Sequence, residues 1–160
     1  MHPRVLRPRV VLAFPAVLLT IAASWRGEIK PCELLTPAQV STVLPKSDKG
    51  FVAANGESLI QGVKSYQCSY VNPEAHLLTV VVTVAADDAS FVKIAPSTSR
   101  HEDHRKIAVA DSGWVFGEPN DLKVEVIKGR TLVDLHLMAP GAQQKADQLV
   151  ELARAVAKKV

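Results

Sequence analysis

The run from His76 to Ala85 constrains the fold more than any other segment of the chain. Leu78, Val80, Val82 and Val84 point one way and Leu77, Thr79, Val81 and Thr83 the other, with no charge among them. A strand that is uncharged on both sides belongs where both faces are covered, or nearly so. The chain must therefore supply neighbours for it. Ser58 to Tyr70 reads as the first of these. It closes at the turn Asn72-Pro73-Glu74, so the two strands form a hairpin.

The remaining segments fill in an architecture around that hairpin. Thr36 is a good N-cap, Pro37 suits the first helical position, and Gln39 completes a capping box. Leu35 and Val40 stand at the two staple positions, and Pro45 stops the helix, which is expected over Pro37 to Leu44. Lys46 to Gly56 reads as a loop or weak strand. Asp87-Asp88 opens a short helix through Ile94, ended by Pro96, and a polar loop follows from Ser97 to Lys106.

Short strands are expected at Ile107 to Ala110 and at Trp114 to Phe116, broken by Asp111-Ser112-Gly113. Leu122 to Ile127 alternates as a half-exposed strand. The turn Lys128-Gly129-Arg130 then leads to a partner that buries Val133, Leu135 and Leu137 and turns Asp134 and His136 outward. Pro140-Gly141 precedes a final helix, Ala142 to Lys159, with Ala146, Leu149, Val150, Ala153 and Val156 at helical spacing. This order predicts an α+β fold: an antiparallel sheet with N-terminal, middle and C-terminal helices packed on one face.

The first residues carry an export signal. Arg4, Arg7 and Arg9 precede an apolar run from Val10 to Ala23, and the small residues Ala22 and Ser24 mark a cleavage site before Trp25. Residues 1–24 are read as a signal peptide and 25–160 as a single exported domain, periplasmic or secreted. The run is shorter than the roughly 20 residues of a membrane-spanning helix, and Pro15 interrupts it, so no stable span is expected after cleavage. Cys32 follows Glu28-Ile29-Lys30-Pro31, which is no lipidation site.

The chain has 19 Lys+Arg and 16 Asp+Glu, and the signal holds three of the arginines and no acid. The mature part is therefore balanced and shows no basic stripe. This argues against nucleic acid as a partner. It keeps two cysteines, Cys32 and Cys68. In an oxidising compartment an even pair reads as a disulfide. The closed loop of about 37 residues contributes roughly 4 kcal/mol on the chain-entropy model. A redox or nucleophilic cysteine is the competing reading. It lacks a C-x-x-C spacing.

Pro31-Cys32-Glu33-Leu34-Leu35-Thr36-Pro37-Ala38-Gln39-Val40 resembles the opening of a group of small exported bacterial proteins, many of them lipoproteins, that begin D-P-C-x-L-L-T-x-x-E-V. Cys68-Ser69-Tyr70 matches their C-x-Y strand, and Leu152-Ala153-Arg154-Ala155-Val156 matches their terminal helix loosely. Lys30 replaces the usual acid. The group is largely uncharacterised, so the resemblance implies fold and compartment and no catalytic residues.

Three clusters are candidates for chemistry. His101-Glu102-Asp103-His104 offers two histidines as Zn or Cu ligands, without the H-E-x-x-H spacing of a metallohydrolase; a solvated loop is the plain alternative. Asp134 and His136 share a strand face and would serve a hydrolase if a serine met them, but the chain has no G-x-S-x-G elbow. Gly113-Trp114-Val115-Phe116-Gly117 either lines a ligand groove through Trp114 and Phe116 or buries them in the core. No cofactor is expected. The leading functional expectation is a non-catalytic envelope domain that binds a protein partner or small ligand. A metal-binding periplasmic protein through His101 and His104 comes next, then an envelope hydrolase.

Overall fold

The computed structural model describes residues 28–95 and 104–160. The signal segment 1–24, Trp25, Pro96 and His101 lie outside these residues. The seven strands are β1 (Phe51–Glu57), β2 (Val63–Val71), β3 (Leu77–Ala85), β4 (Arg105–Ile107), β5 (Ser112–Glu118), β6 (Asp121–Lys128) and β7 (Thr131–Met138). They form one sheet in the order β1-β2-β3-β7-β6-β5-β4, and every neighbouring pair is antiparallel. The uncharged strand is therefore interior, where the sequence puts it. β3 pairs without a break from Val63↔Ala85 to Val71↔Leu77 on one side and from Leu77↔Met138 to Val84↔Thr131 on the other.

Three helices accompany the sheet: α1 (Pro37–Ser41), α2 (Asp88–Ile94) and α3 (Ala146–Lys159). The Thr36 capping box is formed in full, with Gln39 N–H donating to Thr36 Oγ1 and Thr36 N–H donating to Gln39 Oε1. Asp87 caps α2 by accepting from Ser90 N–H at 2.7 Å. The core cluster takes Leu122, Val124, Val126, Val133, Leu135 and Leu137 from β6 and β7, Leu149, Ala153 and Val156 from α3, and Val40 from α1. α2 gives this cluster no side chain; its one buried residue is Ser90.

Several element boundaries differ from the sequence reading. α1 ends at Ser41, short of Leu44, because Ser41 and Thr42 hydroxyls donate back to the Ala38 and Gln39 carbonyls and compete with the helical ladder. The first hairpin strand starts at Val63, since Gly62 (φ 78°) and the turn at Ser58 to Ile60 break the extended chain. The segment read as a loop or weak strand is β1, an edge strand with irregular register at Val52/Ala54 and Asn55/Glu57. Irregular edges discourage pairing with other chains. The expected break at Asp111-Ser112-Gly113 falls earlier: Ala110 takes φ 50°, and β5 already includes Ser112. The last helix begins as a short 3-10 turn, Ala142–Lys145, before α3.

Cys32 and Cys68 are bonded, with Sγ–Sγ 2.03 Å and Cα–Cα 5.1 Å. The bridge ties the 3-10 turn Pro31–Glu33 to β2. Gly50 lies flat against it: a Cβ there would stand 2.4 Å from Cys68 Sγ. Among the described residues no helix is long and apolar enough to cross a membrane.

Candidate functional site

Alternation along each strand divides the sheet into two unlike faces. The face of Val124, Val126, Val133 and Leu135 meets α3. The opposite face of the same strands carries Asp121, Lys123, Glu125, Asp134 and His136, and β5 adds Trp114 and Phe116 beside them. The pairing sets these side chains in rows. One row runs Gln67, Val81, Asp134, Glu125, Trp114, Lys106 from β2 across to β4; the next runs Ser69, Thr79, His136, Lys123, Phe116. Trp114, Phe116, Lys123, Glu125, Asp134 and His136 are all half-buried.

Two tight turns hold the β5–β7 part of this face in register. Gly117 (φ 136°) sits where a Cβ would meet the Asp121 carbonyl at 2.1 Å, so glycine alone lets β5 turn into β6 at that distance. Gly129 closes the β6–β7 turn at φ 55°, and its N–H donates to Asp111 Oδ2 at 2.6 Å.

Asp134 is the anomaly of this surface. Burial raises its pKa to about 7; the Glu125 charge opposite adds to the rise, and Lys123 opposes it. Among the described residues no hydrogen bond or ion pair reaches its carboxyl. His136 has a different partner from the one the sequence suggests. Its Nε2 lies 2.8 Å from Asp121 Oδ1 across the β6–β7 ladder, and among the described residues it makes no bond to Asp134 or to a hydroxyl. The acid that meets His136 is thus Asp121, its diagonal neighbour across the β6–β7 ladder, and not Asp134, which the hydrolase alternative would have used.

Trp114 and Phe116 are placed together, outside the main core cluster. Phe116 meets the His104 ring at a centroid distance of 4.6 Å. It also lines a cleft of about 590 Å³ between β5 and the start of α3, shared with Arg105, Gly117, Gln143 and Asp147, where Arg105 pairs with Asp147 at 3.1 Å. The metal expectation rests on His104 and on His101, and His101 lies outside the described residues; within them no group of three or more metal-binding side chains gathers.

A second cleft, about 670 Å³, runs beside the disulfide over Leu35, Val40 and Tyr70, with Lys46 and Lys49 along it. Burial pushes the Tyr70 hydroxyl pKa up, and that hydroxyl donates to the Cys32 carbonyl at 3.4 Å.

Sequence reasoning found Trp114, Phe116, Asp134 and His136 as separate candidates and missed Asp121, Lys123 and Glu125. The alternation of Lys123 and Glu125 marks them as outward. Only the cross-strand register shows which aromatic and which acid they meet. No family model matches this chain, and no curated protein or solved structure matches it.

Proposed function

We propose that residues 25–160 form an exported domain of the bacterial cell envelope, akin to the small exported proteins its first block resembles, that binds a partner or small ligand without chemical turnover. The binding surface is the sheet face of Trp114 and Phe116, with the helices behind the sheet. One observation carries this reading: two half-buried aromatic rings stand beside a desolvated carboxyl that has no hydrogen-bond partner among the described residues, on the face away from the main core. Large aromatics outside a core supply contact area, and nearby polar groups fix orientation. The disulfide supports the compartment, since such bonds persist where the environment oxidises.

The test is an amide-shift map of isotopically labelled protein, residues 25–160, mixed with fractionated envelope extract. Shifts concentrated on β5, β6 and β7 at outward positions are expected. Shifts confined to the disulfide cleft, or none in any fraction, overturn the assignment of this face. The compartment has its own check. Thiol titration of protein recovered from cells should find no free sulfhydryl, and two titratable thiols would contradict export.

A further inference from the structure

We infer that the cleft beside the disulfide binds a free alkyl carboxylate, one hydrocarbon chain with an anionic head. This goes beyond the outer-face reading and does not rest on it. Cys68 pairs with Val80 and Tyr70 with Leu78, and the same rows continue through β3 to Leu135 and Leu137 on the α3 side of the sheet. The cleft lined by Cys32 and Tyr70 is therefore on the opposite side from Trp114. Its volume of about 670 Å³ is that of a site for one small molecule, roughly 300–1,000 Å³.

The walls are held without a ligand. The capping box fixes the start of α1, and the Cys32–Cys68 bond ties the turn before it to β2. Across the cleft, Asp48 N–H donates to the Val71 carbonyl at 2.9 Å. Gly50 packs so closely on Cys68 Sγ and the Tyr70 ring that no side chain fits there. A site already in place loses little freedom on binding, which favours affinity.

The lining chooses the ligand. Leu35, Pro37, Val40 and Tyr70 supply apolar surface, which calls for hydrocarbon. Two of the hydroxyl donors are engaged within the protein: Tyr70 donates to the Cys32 carbonyl and Ser41 to the Ala38 carbonyl. The Lys46 and Lys49 ammonium groups have no ion pair or hydrogen bond among the described residues. Asp48 is the one acid of the lining, so positive charge is in excess. A carboxylate head meets both lysines; an ammonium head meets their repulsion, and an uncharged head gains nothing from them.

Octanoate and decanoate are titrated calorimetrically at pH 7 into the disulfide-bonded protein as recovered from cells, with octylammonium and 1-octanol as the cationic and uncharged controls. Saturable binding of both acids is expected, with decanoate about five- to fifteenfold tighter for its two further methylenes. Both controls should bind at least about tenfold more weakly than octanoate. Lys46→Gln/Lys49→Gln alters two exposed side chains and should weaken octanoate by a similar factor, while Asp48→Asn should tighten it about two- to threefold. Amide shifts with decanoate should cluster at Leu35, Val40, Lys49, Gly50 and Tyr70. Absence of saturable decanoate binding, or shifts confined to other residues, overturns the proposal. So does octylammonium binding as tightly as octanoate, or full affinity in the double lysine variant. Flotation with phosphatidylglycerol vesicles in place of decanoate binding would assign the cleft to a membrane lipid and overturns it too. None of these outcomes bears on the outer face, which the extract map tests separately.

Discussion

Val133 and Asp134 are neighbours in sequence and face opposite worlds. On the α3 side of β6 and β7, six consecutive inward positions (Leu122, Val124, Val126, Val133, Leu135, Leu137) are at most 2% exposed. On the other side the same two strands present Asp121, Lys123, Glu125, Asp134 and His136 at half burial. The backbone ladder is shared, so the difference lies in the side chains and what they meet. The inner face gains free energy by removing aliphatic surface from water. The outer face gains less in that way and holds a desolvated acid that is unpaired among the described residues. A sheet side tuned for stability alone would not retain it, which is why the outer side reads as the one kept for recognition.

The largest expected effect tests the inner side. Leu135→Ala removes a fully buried side chain packed between β6, β7 and α3. It should cost roughly 2–5 kcal/mol of unfolding free energy, read from urea denaturation. A loss under about 1 kcal/mol would mean that α3 does not seal this face.

How much of this contrast is legible in the sequence differs by face. The inner one is, almost entirely. Val133, Leu135 and Leu137 are expected to be buried from their alternation, and the helix stripe Leu149, Val150, Ala153 and Val156 lies in the core with them. Apolar periodicity reports burial directly, so these residues need no partner to be recognised. The outer face is legible only in pieces. Asp134 and His136 share a side by spacing, but which acid reaches His136 depends on the β6–β7 register, and Asp121 is fifteen residues away in sequence. Trp114 and Phe116 read as either core or groove, because an aromatic alternation does not say which side of a sheet a helix will cover. β1 is ambiguous for a different reason. Its bulges and Gly56 disturb the alternation that marks a strand. The disulfide follows from compartment and an even count, and the structure contains it.

The next effect has the opposite sign from the first, one residue away. A carboxyl holds a pKa near 3.9 in an unfolded chain, and folding raises that of Asp134 to about 7. The folded state therefore keeps a proton that the unfolded state has lost between those values. Stability contributed by this site falls as pH climbs from about 4 to 7 and stays low above it. Asp134→Asn removes the ionisation. At pH 8 it should stabilise the protein by roughly 1–3 kcal/mol, discounted for the site's partial contact with water, and at pH 4 it should change almost nothing. Thermal unfolding of both proteins across pH 4–8 measures the difference. Equal slopes would show that the carboxyl is as well solvated as an ordinary surface acid.

The smallest effect probes the charges around that acid rather than the fold. Lys123→Gln and Glu125→Gln both alter half-exposed side chains on the outer face and leave the inner packing untouched, so each should shift stability by under about 0.5 kcal/mol at pH 5, where Asp134 holds its proton. Their influence on the Asp134 titration should nonetheless be opposite. Lys123 favours the ionised carboxylate, and its removal moves the Asp134 midpoint upward; Glu125 disfavours it, and its removal moves the midpoint downward. Carboxyl-carbon NMR titration resolves both directions. Movement of the two midpoints in the same direction would mean that the variants change the solvation of Asp134 instead of its electrostatic surroundings. The outer face would then be a polar surface without the local field that distinguishes it from the inner one.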